Sequence, residues 1–107
     1  MSDASPYLVS WSKHALASAR KLGQNLRTAA ARLELTHALR ELQLRLEQDP
    51  LNFGEVTAAR GNIVRHVAVA RYLRVAFTVD TQRKVVRVTE CVLSGAGPVD
   101  QPTNGPT

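Results

Sequence analysis

The chain has 107 residues, 44% of them apolar, and a formal net charge of +5, enough for one domain with its own core and too little for two of ordinary size. The lone Cys91 excludes an internal disulfide and a cysteine-based zinc site, and points to a reducing cytoplasm. No apolar run approaches the ~18 residues of a membrane span, and Met1 to Pro6 lacks the charged and apolar regions of a signal peptide, so a soluble cytoplasmic protein without a membrane partner is expected.

In chain order, residues 1–6 read as a flexible N-terminus, and Tyr7-Leu8-Val9-Ser10-Trp11 is a short run of strand formers. Ser12 follows with a hydroxyl where a helix N-cap is wanted, so a strand leading into a helix is predicted. Apolar residues then recur at Leu16, Ala19, Leu22, Leu26, Ala29, Ala30 and Leu33, at helical steps of three and four. Gly23 weakens that helix by up to ~1 kcal/mol and can mark a break. A second stripe, Leu35, Leu39, Leu42 and Leu46, is expected to end near Gln48, because Pro50 pushes Asp49 out of helical backbone. The helix leucines are expected in the core, and Trp11 is expected to anchor the first strand against the helices.

Between Pro50 and Arg60 the chain reads as a loop, punctuated by Asn52, Gly54 and Gly61. Three strands follow, Ile63 to Val69, Tyr72 to Val79 and Val85 to Leu93. Their connections, Ala70-Arg71 and Asp80 to Arg83, are so short that antiparallel hairpins are expected. In the middle strand Leu73, Val75, Phe77 and Val79 alternate with Tyr72, Arg74, Ala76 and Thr78, which predicts a helix-facing set and an open face carrying Tyr72 and Arg74. The strands on either side have valine in both phases, so whether Arg65 or His66 faces outward stays open, and Glu90 fits neither register comfortably. Residues 95–107, with three Gly, three Pro and almost no apolar side chain, read as a disordered tail behind a domain spanning 7–94.

Charge sharpens the picture of the strand block. Arg60, Arg65, Arg71, Arg74, Arg83, Lys84 and Arg87 stand against Asp80 alone, a net of about +6 between residues 60 and 87. Clustered Lys and Arg reward a polyanionic partner through counterion release. There is no GxxxxGK[ST], GxGxxG, HExxH or GxSxG element, so nucleotide-dependent and serine-nucleophile chemistry are not indicated. His14 and His37 have no metal-ligand spacing, and no cofactor or metal is implied.

The order strand, helical hairpin, Asp-Pro stop and three-strand meander resembles the RelE/ParE toxin superfamily over roughly residues 7 to 93. The likeness rests on Leu42 to Pro50 (LQLRLEQDP), Phe53-Gly54-Glu55, and Tyr72 to Asp80 (YLRVAFTVD) leading to Val85-Val86-Arg87-Val88. The resemblance implies an α+β fold of order β-α-α-β-β-β, with the helical hairpin on one face of a mainly antiparallel sheet. It also implies the toxin of a type II toxin–antitoxin pair, neutralised by a cognate antitoxin. RelE-like members cleave mRNA in the ribosome, whereas ParE-like members inhibit DNA gyrase. A non-catalytic basic binding module on the same fold is the alternative outside the toxin class.

For a metal-free ribonuclease the resemblance places Arg74 at the scissile phosphate, with Arg65 and His66 as further catalytic candidates. Arg71, Tyr72, Lys84 and Arg87 are the expected nucleic-acid-binding residues. One departure is plain: after the last strand comes Val92-Leu93-Ser94-Gly95-Ala96-Gly97, without the basic, His or Tyr residue that RelE-like nucleases carry there.

Overall fold

The computed structural model describes residues 5–95, 97 and 98. The chain forms β1 (Leu8–Trp11), α1 (Lys13–Gln24), α2 (Ala29–Gln48), a 3-10 turn (Pro50–Asn52), β2 (Glu55–Arg60), β3 (Ile63–Ala70), β4 (Leu73–Asp80) and β5 (Val85–Leu93). The sheet has the order β1-β5-β4-β3-β2, with β1 parallel to β5 and every other pair antiparallel. Two helices lie on one face of a mainly antiparallel sheet, the expected α+β architecture with one strand added. That strand is β2, where a loop was expected. The flexible N-terminus and disordered tail foreseen for residues 1–6 and 95–107 lie mostly outside the described residues.

Both helices start on a hydroxyl cap, the expected Ser12 for α1 and Thr28 for α2. Ser12 Oγ accepts from the Ala15 amide at 3.1 Å and Thr28 Oγ1 from the Ala31 amide at 3.1 Å, satisfying donors left open in each first turn. The first helix stops one residue after Gly23, and the inward stripe of α2 becomes Ala31, Leu35, Ala38, Leu42 and Leu46. This phase turns Leu33 out to solvent, and Leu16 on α1 is also exposed, so these two leucines are not core residues. At the other end Asp49 adopts extended φ of −152° and Pro50 opens the 3-10 turn.

The core forms where the helix stripe meets β4. Leu73, Val75, Phe77 and Val79 are fully buried and face Leu42, Leu46, Val86, Val88 and Cys91. At its centre Phe77 stacks on Phe53 with ring centroids 5.9 Å apart and on His66 at 5.1 Å. Arg45 of α2 lies 4.8 Å over the Phe53 ring, closing the stack from the helix side. The edge strand β1 is pinned by Trp11, as expected, through a chain of side chains. Trp11 Nε1 donates to Gln43 Oε1 at 3.0 Å, and Gln43 Nε2 donates to Glu47 Oε2 at 2.9 Å.

Gly54 allows β2 to join the sheet. Its φ is +78°, and a Cβ there would meet the Val67 carbonyl at only 2.2 Å and the Ala68 Cβ at 2.5 Å. A side chain would therefore push the Phe53-Gly54 corner off β3. Gly54→Ala is expected to destabilise by ~2 kcal/mol or more, through backbone strain and overpacking together, and Phe77→Ala by ~3–5 kcal/mol through loss of the central ring; urea unfolding followed by circular dichroism checks both.

Cys91 supplies a second check on the core. It is fully buried on the helix face of β5, and burial pushes its thiol up to about 11, so the sulfur stays neutral at pH 8. The reactive thiolate is thus disfavoured in the folded state, and a thiol reagent at pH 8 is expected to label Cys91 no faster than the protein unfolds. Rapid labelling of native protein would contradict the packing of β5 described above.

Candidate nucleic-acid interface

On the side of the sheet away from the helices, strand pairing sorts the open-face residues into rows. Arg65 on β3, Thr78 on β4 and Arg87 on β5 stand opposite one another. The next row is Val67, Ala76 and Glu90, and the one after it Val69, Arg74 and Val92. Arg60 lies on β2 opposite Ile63. With ~3.4 Å per residue, successive rows are ~7 Å apart, so Arg65 and Arg74 reach toward the same middle row from opposite sides. The methyl group of Ala76 leaves room there. A depression of about 190 Å³ results, lined by Arg65, Arg74, Val67, Ala76 and Glu90.

The four arginines of this face, Arg60, Arg65, Arg74 and Arg87, are exposed. Among the described residues none of them has a carboxylate within 4.0 Å. Asp80 is engaged elsewhere: its Oδ1 accepts the amides of Gln82 and Arg83 in the β4–β5 turn. Arg74 therefore forms no bridge to Asp80 or Glu55. Guanidinium groups left unpaired on one surface are suited to phosphate oxygens, which they bind in bidentate fashion.

Several residues expected at this site stand elsewhere. The register of β3 places Arg65 outward and His66 inward, where His66 is 1% exposed and stacked on Phe77. Its Nδ1 lies 3.2 Å from the Phe53 carbonyl oxygen. A carbonyl only accepts, so this nitrogen carries the proton and donates, and His66 cannot reach a substrate on the open face. Tyr72 likewise turns toward the core, against the expectation that it faces outward. Its hydroxyl is buried without a partner among the described residues, and burial first and Glu34 second push its ionisation up.

The two basic turn residues of the expected nucleic-acid-binding set are used by the fold. Arg71, at φ +57°, donates through Nε to Glu41 of α2 at 2.8 Å and ties the β3–β4 turn to the helix side. Lys84, at φ +56°, donates to the Ser5 carbonyl at 2.7 Å and lies 4.9 Å over the Tyr7 ring. Of the expected nucleic-acid-binding residues, Arg87 alone lies on the open face of the strands. Among the described residues no group of His, Cys, Asp and Glu is placed to hold a metal ion, and no helix is long and apolar enough to cross a membrane.

The structure also adds Glu90, which sequence reasoning did not assign to the site. Inward residues of β5 run Val86, Val88 and then Cys91, a step of three, because the pairing with β4 shifts between Ala76 and Phe77. Thr89 is the extra residue of this bulge, and its Oγ1 donates to the Ala76 carbonyl at 3.1 Å. An acid placed among valines is the sequence signal for such a shift, since strict alternation would bury it beside Val86 and Val88.

No protein-family model and no curated protein matches the chain. Solved structures do. A chain of the archaeal RelE–RelB complex from Pyrococcus horikoshii OT3 superposes with a TM-score of 0.64 at 18% identity, over 85% of this chain and 98% of that one. A chain of the toxin–antitoxin complex RelBE2 from Mycobacterium tuberculosis gives a TM-score of 0.61 at 17% identity, over 82% of this chain and 98% of that one. Because the superposition spans 98% of each neighbouring chain, the protein has the RelE-like fold to which its element order and its YLRVAFTVD strand pointed.

Proposed function

We propose that this protein is the toxin of a type II toxin–antitoxin pair, that it acts on mRNA at the ribosome through the open face of its sheet, and that a cognate antitoxin neutralises it. Its structural neighbours belong to a RelE–RelB complex and a toxin–antitoxin complex. The observation that carries the RNA reading is the pair Arg65 and Arg74, converging on one depression with no carboxylate paired to either among the described residues.

Cleavage of RNA without a metal requires that a 2′-hydroxyl be aligned with the neighbouring phosphate and that the charge growing on that phosphate be stabilised. Arg74 and Arg65, approaching from two sides, grip the non-bridging oxygens and hold the phosphorus over Ala76. Arg87 and Arg60 carry the flanking backbone, and the apolar floor of Val67, Val69 and Val92 meets ribose and base. The binding part of this arrangement depends on phosphate, so affinity falls with added salt.

A second reading, in which the face binds its target without cutting it, is favoured by one observation. Among the described residues, the outward positions of the strands carry no histidine, tyrosine or lysine. A gyrase-directed toxin or a basic binding module needs no such group.

Expression of the chain alone is expected to arrest growth, with relief when the antitoxin gene beside it is co-expressed; unimpaired growth at high soluble yield excludes the toxin. On programmed ribosomes, Arg74→Ala is expected to slow mRNA cleavage by ~100-fold or more, the effect of losing a transition-state contact worth ~3 kcal/mol. If the face only binds, Arg74→Ala instead weakens RNA affinity modestly and reduces the salt slope by about one. Inhibition of gyrase supercoiling with intact mRNA would select the gyrase reading.

A further inference from the structure

Glu90 stands in the row between Arg65 and Arg74, beside Ala76, and lines the same depression as both arginines. A carboxylate that shares a depression with two guanidinium groups ordinarily closes on one of them. Here no ion pair forms within 4.0 Å, and Glu90 has no hydrogen-bond partner among the described residues. The three groups surround a space instead of filling it. The placement depends on the Thr89 bulge, without which Glu90 would point toward the helices.

The other acids near this face are differently disposed. Asp80 is held by two turn amides and lies beside Arg83. Glu55 is on the outer strand β2, opposite Val67, and does not line the depression. Arginine remains protonated at any physiological pH and cannot accept a proton. Of the residues lining the depression, Glu90 alone has a side chain able to do so.

From this geometry we propose that Glu90 is the catalytic base of the RNA cleavage described above, an inference that rests on that reading. The Glu90 carboxylate takes the proton of the attacking 2′-hydroxyl. The 2′-oxygen forms a bond to phosphorus, and the bond from phosphorus to the 5′-oxygen of the next nucleotide breaks. The departing 5′-oxygen takes a proton from water, and Glu90 returns its own to water. The products are a 2′,3′-cyclic phosphate and a 5′-hydroxyl end, with no net change in protons. Arg65 and Arg74 meanwhile neutralise the non-bridging oxygens, which offsets the repulsion between Glu90 and the phosphate.

That repulsion supplies a readout that a structural role would not produce. In single-turnover cleavage of mRNA on programmed ribosomes, Glu90→Gln is expected to lower the rate at least ~100-fold, the usual contribution of a positioned proton acceptor. Its affinity for a 2′-deoxy-substituted RNA, which cannot be cleaved, should be equal to or tighter than wild type. Glu90→Asp keeps the carboxylate but draws it back and should retain an intermediate rate, and Glu55→Gln should cleave as wild type does. Cleavage by Glu90→Gln within threefold of wild type would overturn the inference and leave the RNA-cleaving reading standing. Equal loss of cleavage and RNA affinity in that variant would also overturn it, by making Glu90 a support of the face. Intact mRNA with wild-type protein would remove the cleavage reading, and this inference with it.

Discussion

The fold is organised by the two faces of β4. Its inward set, Leu73, Val75, Phe77 and Val79, is completely buried, and its outward set holds Arg74 and the small Ala76. Burial of side chains this large contributes ~1.5–3 kcal/mol each, which fixes the strand's orientation, since a one-residue slip would reverse every one of them. The register of β4 passes to β3 and β5 by pairing, and through them to Arg65 and Arg87. The placement of the arginines is thus a consequence of packing on the opposite side. No contact among the arginines themselves is needed to align them, and their mutual repulsion is tolerated because the hydrophobic face determines where they stand.

Charge in the strand block divides by position in the hairpins. Arg71 and Lys84 occupy turn positions with left-handed backbone, which non-glycine residues adopt at some cost. Each holds its turn against another element, Arg71 through Glu41 and Lys84 through the segment at Ser5 and Tyr7. Arg83 stays beside Asp80 within its own turn. Arg60, Arg65, Arg74 and Arg87 lie along the strands with their heads in solvent. A cluster that looked like one basic region is therefore two groups with different work, one fastening the ends of the sheet and one presenting charge across it.

What was legible in the sequence followed the strength of each local pattern. The β4 alternation from Leu73 to Val79, the Ser12 cap, the Asp49-Pro50 stop and the anchoring Trp11 all have strong local causes, and each stands where expected, whereas Tyr72 just ahead of β4 does not. β2 was illegible because Glu-Val-Thr-Ala-Ala-Arg is exposed along its whole length, so no buried face imprints a period of two on it. Its pairing comes from the backbone and from the clearance at Gly54, which a side-chain pattern does not record. His66 was ambiguous because β3 carries small or apolar residues on both faces, and only the pairing Val64 to Val79 and His66 to Phe77 decides the phase. Glu90 escaped assignment because one extra residue at Thr89 reverses the outward side of β5 midway.

The burial of His66 bears on what chemistry the open face can offer. The Phe53 carbonyl emerges just before Gly54, where the chain leaves the 3-10 turn for β2, and an unsatisfied acceptor there would cost ~1–3 kcal/mol. A histidine at position 66 can stack on Phe77 as an aromatic ring while its Nδ1 hydrogen satisfies that carbonyl; a phenylalanine supplies the stack without the donor. The imidazole is thereby committed to the core by the same contact that secures the added strand. Tyr72 is turned inward as well, with its hydroxyl enclosed. With these two side chains withdrawn, the outward face retains arginine for charge and Glu90 as a side chain able to accept a proton, and the bulge at Thr89 is what turns that carboxylate to the arginine side of the sheet.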